Sequence, residues 1–303
     1  MMLRKLFDTI RLGVISILAF FSPTWKTKYT LYNLKANKIN WLNKDNITMA
    51  GVARIHELYG VTRRGYYISS PVTLGKGLNL EELDQALKNI FSTRKVDRVT
   101  IDISDVDGLA SSKAPIEEYS TMYEFVEAKC RNYFDITESA LNKNLSHQEI
   151  RIIHDQSNSD YFWMYGWSSK LYLCNHGGSH HFASAQYIAS ELDKQVPLSG
   201  ELNFTYINSD GLSNFISTYQ TFLMSCDDFS KFYDIFKDSR LDLIFFTPRA
   251  LPDGMTILFY KKNKFPTSLD LILKKKFTDF NKELEKYHDF QKCNRKFNQF
   301  LSS

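Results

Sequence analysis

Cysteine is scarce and scattered in this chain. Only four occur in 303 residues, Cys130, Cys174, Cys226 and Cys293, with no Cys-x-x-Cys pair. That excludes a dense disulfide framework, and reduced thiols in a cytoplasmic protein are the simpler expectation. His-Glu-x-x-His is also absent. His176 and His180 are four apart, but the glycine turn between them breaks the helix that would put both on one face, so no metal site is expected. Gly75-Lys76-Gly77 lacks the spacing and the Lys-Ser/Thr ending of a P-loop and reads as a turn.

Neither sign of charge dominates. Lys plus Arg number 38 against 34 Asp plus Glu, a net charge of +4, which permits a nucleic-acid surface without arguing for one. The apolar run Leu12–Phe21, preceded by Arg4, Lys5 and Arg11, is too short to span a membrane. Its exit, FFSPTWK, offers no small-x-small cleavage site. Leu3, Phe7, Ile10, Val14, Ile17 and Leu18 fall at helical spacing, so a helix docked on its own protein is expected over 1–25. A peripheral membrane contact is the alternative. Repeats and low-complexity segments are absent.

A hydrophobic content of 43% with 15% aromatics indicates a folded chain with a sizeable core. Its organising stretch is KLYLCNHGGSHHFASAQYIASELDK, Lys170 to Lys194. Leu171–Cys174 reads as a short buried strand, Gly177-Gly178 as a tight turn, and Ser179 as the N-cap of a helix. Phe182, Ala185, Ile188, Ala189 and Leu192 mark the helix's buried face. Three of seven histidines, His176, His180 and His181, surround the turn. Free amides at a helix start suit a phosphate or carboxylate, and imidazoles there can donate to an anion or transfer protons.

Elsewhere, Gly65–Thr73 and Arg98–Val106 read as strands, and Leu80–Ile90 as a helix capped by Asn79. Ile116 to about Tyr133 reads as a helix, 136–150 as a second helix or helix plus loop, and Glu149–His154 as a strand. The aromatic run Tyr161–Trp167 reads as core, with base stacking the functional alternative. Gly200–Asn208 is an alternating strand, Gly211–Met224 a helix, and the segment after Cys226 another helix. A hairpin follows, turning at Pro252-Asp253-Gly254, and the lysine-rich tail Ser268–Phe300 is helical with a solvated face. The basic residues Arg63, Arg64, Lys76, Arg94, Lys95 and Arg98 are spread along the sequence and read as a solvated face.

The string GGSHHFASAQYIA resembles the signature box of the ParB/sulfiredoxin-like superfamily, in which a strand enters a Gly-rich turn with His-Arg or Arg-Arg and leaves in an alanine-rich helix. The matching residues are Gly177, Gly178, Ser179, His180 and His181. Ser179 stands where sulfiredoxins carry their reactive cysteine, which removes sulfinic-acid-reductase chemistry. His181 stands where most members carry a phosphate-binding arginine. Lys113-Ala114-Pro115 is the loose counterpart of an Arg-Pro pair, and the order of elements extends the likeness over about Val96–Asn214. The chain is also similar to bacterial and mobile-element proteins of unknown function with a GGSHHFA-type box.

The resemblance implies an α+β fold: a small mixed sheet with flanking helices at 96–225, an N-terminal extension at 1–95 and a C-terminal hairpin and helical region at 226–303. It implies a nucleotide, ATP or CTP with Mg²⁺, bound by Asn175, Gly177, Gly178 and Ser179. His180 and His181 would be catalytic in an NTPase or phosphodiester-cleaving enzyme, with His176, Lys113 and Asp102 as further site residues. Asp102, Asp105 and Glu118 are the acidic residues that could hold a divalent ion. The alternative is a non-catalytic module binding DNA or a protein.

Overall fold

The computed structural model describes residues 23–36, 38–39, 48–49, 55–58, 65–68, 79–154, 160–236, 241–248 and 255–301. Residues 1–22 of the expected N-terminal helix, the Gly75-Lys76-Gly77 turn, Arg63, Arg64 and the Pro252-Asp253-Gly254 turn lie outside them. The fold is mixed α/β, with ten strands in two five-stranded sheets among the described residues: β1 (Gly65–Ile68), β2 (Phe91–Asp102), β3 (Gly108–Leu109), β4 (Tyr161–Tyr165), β5 (Leu171–Cys174), β6 (Pro197–Ile207), β7 (Tyr219–Ser225), β8 (Leu243–Phe246), β9 (Met255–Lys261) and β10 (Thr278–Asp279).

The contacts group these elements into two compact units, each assembled from separated segments: 1–41, 55–90 and 209–285 in one, and 42–54, 91–208 and 286–303 in the other. Three consecutive blocks, as expected from the sequence, are not how the chain packs.

The first unit holds an antiparallel sheet in the order β1-β8-β9-β7-β10. Strand β7 lies within a stretch expected to be helical, 211–224; the helix Ser209–Thr218 stops and YQTFLMS is extended. Its aromatic and β-branched residues pair along the length of β9, Tyr219 opposite Lys261 through Ser225 opposite Met255. This cross-strand packing overrides the helical reading. Phe222, Phe245, Leu258 and Tyr260 meet Phe232 and Phe236 of the helix Cys226–Phe236, and Leu269 and Leu273 of the helix Thr267–Lys276. The helix Leu80–Asn89 belongs to this unit, and Asn79 caps it as expected, its Oδ1 accepting from the Glu81 and Glu82 amides.

The second unit carries the Gly-Gly-His-His stretch. Its sheet runs β2-β6-β4-β5-β3, with β6/β4 and β5/β3 parallel and the other pairs antiparallel. Strand β2 is longer than the sequence suggested and is an edge strand. Arg94, Lys95, Asp97 and Arg98 face solvent along it, and its register shifts between Val96 and Val99. Charges and a bulge of this kind discourage pairing with another chain. Phe162, Met164, Leu171, Leu173, Leu202 and Phe204 form the sheet side of the core. Against them lie Phe182, Ala183, Ala185, Ile188 and Ala189 of the helix Ser179–Glu191. Its small residues let the helix sit close to the sheet. The aromatic run is core: Phe162, Tyr165 and Trp167 are each no more than 2% exposed.

Two further segments depart from expectation. Residues 116–133 do not form one helix. A 3-10 turn at Ile116–Glu118 precedes the helix Met122–Lys129. Thr121 starts that helix by accepting from the Glu124 amide, while the Glu124 carboxylate accepts from Ser120 N, a reciprocal capping arrangement. Glu149–His154 is no strand, because residues 151–154 form a helical turn. The Ile150 carbonyl accepts from the Ile153 and His154 amides, and the His154 ring reaches Leu145 O at 2.6 Å.

Candidate functional site

Strand β5 delivers the chain into a cleft of about 620 Å³. Three short segments wall it: Ser111–Lys113, the His147–Glu149 region and Asn175–His181. The turn between β5 and the helix is shaped by Gly178, whose φ of 66° is left-handed. A Cβ there would lie 2.8 Å from the Glu149 carbonyl carbon and oxygen, so both conformation and space require glycine. Gly178, not Ser179, is the helix N-cap. Ser179 sits at the first helical position, and its buried hydroxyl donates to Ser112 Oγ at 3.1 Å. The first intrahelical bond is Phe182 N to Gly178 O at 2.8 Å, so the amides of residues 179–181 have no backbone acceptor in the helix.

Asn175 is buried and fully committed. Its Oδ1 accepts from Ser111 N, its Nδ2 donates to the carbonyls of Ser111 and Gly177, and Ser111 Oγ donates to its own carbonyl. It fastens the 111–113 segment to the glycine turn and leaves no group for a phosphate. Glu149 Oε2 accepts from Gly178 N at 3.2 Å, placing a carboxylate in the cleft.

The two helix-start histidines are half-buried. His180 packs on Phe125, ring centroids 5.4 Å apart. Burial, and secondarily the nearby Lys113 ammonium, hold its pKa below the ordinary imidazole value. His181 stacks on His147 at 3.7 Å and meets Asn144 Oδ1 through Nδ1 at 3.0 Å. Burial is the main cause that lowers its pKa too, followed by His147, with Glu149 opposing. Both rings are therefore biased towards the neutral form, able to donate one hydrogen bond and accept a proton.

His176 differs. Its backbone amide donates to Asp160 Oδ1 at 2.9 Å, and its ring Nδ1 reaches the same oxygen at 3.2 Å. Asp160 is completely buried.

The cleft thus gathers Lys113, Asn175, His176, Gly177, Gly178, Ser179, His180 and His181 from the sequence reading. Asp102 does not join them. It caps the turn Ile103–Asp105, its carboxylate accepting from Ser104 N, Ser104 Oγ and Val196 N. Asp105 and Glu118 are not among the lining residues either, and no cluster of three metal-ligating side chains occurs among the described residues. Sequence reasoning missed His147, Glu149, Ser112 and Asp160. His147 sat in the stretch read as a second helix or helix plus loop and Glu149 at the start of the expected strand, and neither Ser112 nor Asp160 belongs to the Gly-Gly-His-His string.

Residues 96–296 match a family model described as a family of unknown function (DUF6685). No curated protein and no solved structure matches the chain. Among the described residues, no helix is long and apolar enough to cross a membrane.

Proposed function

This chain belongs to the DUF6685 family, of unknown function, and we propose that its cleft binds the phosphate groups of a nucleotide or a related phosphate ester. The observation that carries this reading is the convergence of donors on one cleft. The unpaired amides of residues 179–181, the Lys113 ammonium and the His180 and His181 imidazoles all serve the same cleft. Helix-start amides favour negative charge, and Lys113 adds a full positive one. His180 supplies a ring N–H, while the Nδ1–H of His181 is committed to Asn144 Oδ1, which leaves its Nε2 lone pair to take up a proton. Glu149 is the carboxylate available to share a Mg²⁺ ion with the phosphates of ATP or CTP. The ParB/sulfiredoxin-like likeness of the Gly-Gly-Ser-His-His turn supports the same reading.

The competing reading is a non-catalytic module that recognises DNA or a protein. One feature favours it: a histidine stands where the resembled superfamily carries its phosphate-binding arginine.

Thermal-shift measurements with ATP, CTP, GTP, ADP and inorganic phosphate, each with and without Mg²⁺, test the proposal. A ligand at about 100 times its Kd stabilises the native state by ~2.7 kcal/mol. A shift lost in the variant carrying His180→Ala and His181→Ala supports the site. No shift with any of the five turns the assignment to the binding-module reading.

A further inference from the structure

Asp160 and His176 form a pair that phosphate binding alone does not explain. The Asp160 side chain is 0% exposed, that of His176 55% exposed. One carboxylate oxygen, Oδ1, takes both N–H groups of His176. The other, Oδ2, is buried with no hydrogen-bond partner among the described residues. A carboxylate that merely held the turn would be expected to spend both oxygens, since an unpaired buried acceptor costs free energy. With Nδ1–H committed to Asp160, the ring's free lone pair is on Nε2. That atom belongs to an exposed side chain lining the cleft that holds His180, His181 and the open helix start.

We propose that His176 is the proton-accepting residue of this cleft and Asp160 its positioning residue, acting on a water that attacks a phosphate ester bound at the helix start. The proposal rests on the phosphate-binding reading above. In the step, a bond forms between the water oxygen and phosphorus as the bond from phosphorus to the leaving oxygen breaks. Nε2 takes one water proton, and the leaving oxygen departs with the bonding pair and is protonated by solvent where its basicity requires. The imidazolium then returns its proton to solvent through its exposed edge. Nothing is oxidised or reduced. Asp160 fixes the tautomer and balances the imidazolium charge.

The test uses the full chain with p-nitrophenyl phosphate and bis(p-nitrophenyl) phosphate as probes, and calorimetry with inorganic phosphate. His176→Asn keeps an N–H donor where Nδ1 reaches Asp160 but has no Nε2. Its kcat is expected to fall about 10²- to 10⁴-fold, while phosphate Kd stays within about twofold, as for a group that acts on the water and not on binding. Asp160→Asn is expected to lower kcat and to convert the His176 ring, followed by ¹⁵N NMR, from the Nδ1–H tautomer to a mixture. Should Asp160→Asn fail to fold, the His176→Asn result decides alone. An unchanged kcat in His176→Asn overturns the proposal, as does a wild type that binds phosphate but turns over neither ester. Both outcomes leave the phosphate site standing. A wild type that does not bind phosphate removes that site and the proposal together.

Discussion

The His181 imidazole lies nearly flat against that of His147, centroids 3.7 Å apart and planes 17° from parallel. Burial disfavours charge on His181 and on His180, and the nearby His147 ring adds to this at His181. In the unfolded chain these imidazoles take up protons near 6.5; in the folded chain they do so only at lower pH. The unfolded state therefore binds more protons in that window, so stability rises with pH and is lost as pH falls through it. Melting temperature is expected to drop as pH goes from about 7.5 through the ordinary imidazole range and to level off below the folded values. The variant carrying His180→Gln and His181→Gln should show a flatter profile. Equal slopes in the two proteins would rule out these rings as the cause.

The two glycines of the turn should behave differently. At Gly178 a methyl group meets the Glu149 backbone at 2.8 Å on a left-handed residue; at Gly177 the nearest atom is Glu149 Cβ at 3.4 Å. Gly178→Ala is expected to destabilise by roughly 1–3 kcal/mol or more. Gly177→Ala should stay within about 1 kcal/mol. Urea unfolding of both variants measures the contrast, and equal losses would contradict the geometry.

Asn175→Ala tests whether that residue serves the fold or a ligand. Truncation leaves Ser111 N and the carbonyls of Ser111 and Gly177 without their partner. A loss of about 2–4 kcal/mol is expected, at ~0.5–1.5 kcal/mol for each of the three part-buried hydrogen bonds removed. A variant as stable as wild type but deficient in phosphate binding would return Asn175 to the ligand side.

Lys113 is exposed, so Lys113→Ala should change stability by no more than about 0.5 kcal/mol. Phosphate affinity should fall about tenfold, in line with losing one charge-assisted contact of roughly 1.5 kcal/mol. Because Lys113 contributes to lowering the His180 pKa, that ring should also titrate higher in the variant, as read by NMR. Unaltered phosphate affinity would take Lys113 out of the site.

Much of the arrangement was legible where one local rule acted alone. Leu171–Cys174 is the strand its composition implied, Asn79 caps its helix, and the Gly-Gly turn opens into a helix. The sequence misled where tertiary contacts overrode local preference. The isoleucines of EIRIIHD suggested a strand, yet Ile150 is buried in the core and Ile152 packs against it, from a helical turn. Ser179 has the chemistry of a cap, yet the left-handed Gly178 takes that position and frees the hydroxyl for Ser112. Partners such as Asp160, 16 residues before His176, and Asn144, 37 residues before His181, follow no spacing rule. They meet only because β4, β5 and the helices converge on one end of the sheet.

Gln291 sets the order in which the site-bearing unit can be finished. Its side chain accepts from Ile207 N and donates to Ile207 O at the end of β6, and Asn294 donates to the carbonyls of Gly166 and Ser168. These anchors are translated after residues 209–285, which build the other unit. A nascent chain halted before residue 286 therefore holds the Gly-Gly-His-His cleft with Ile207, Gly166 and Ser168 still unclasped. Completion of the cleft's unit is a late event of synthesis, although its own sequence is made early.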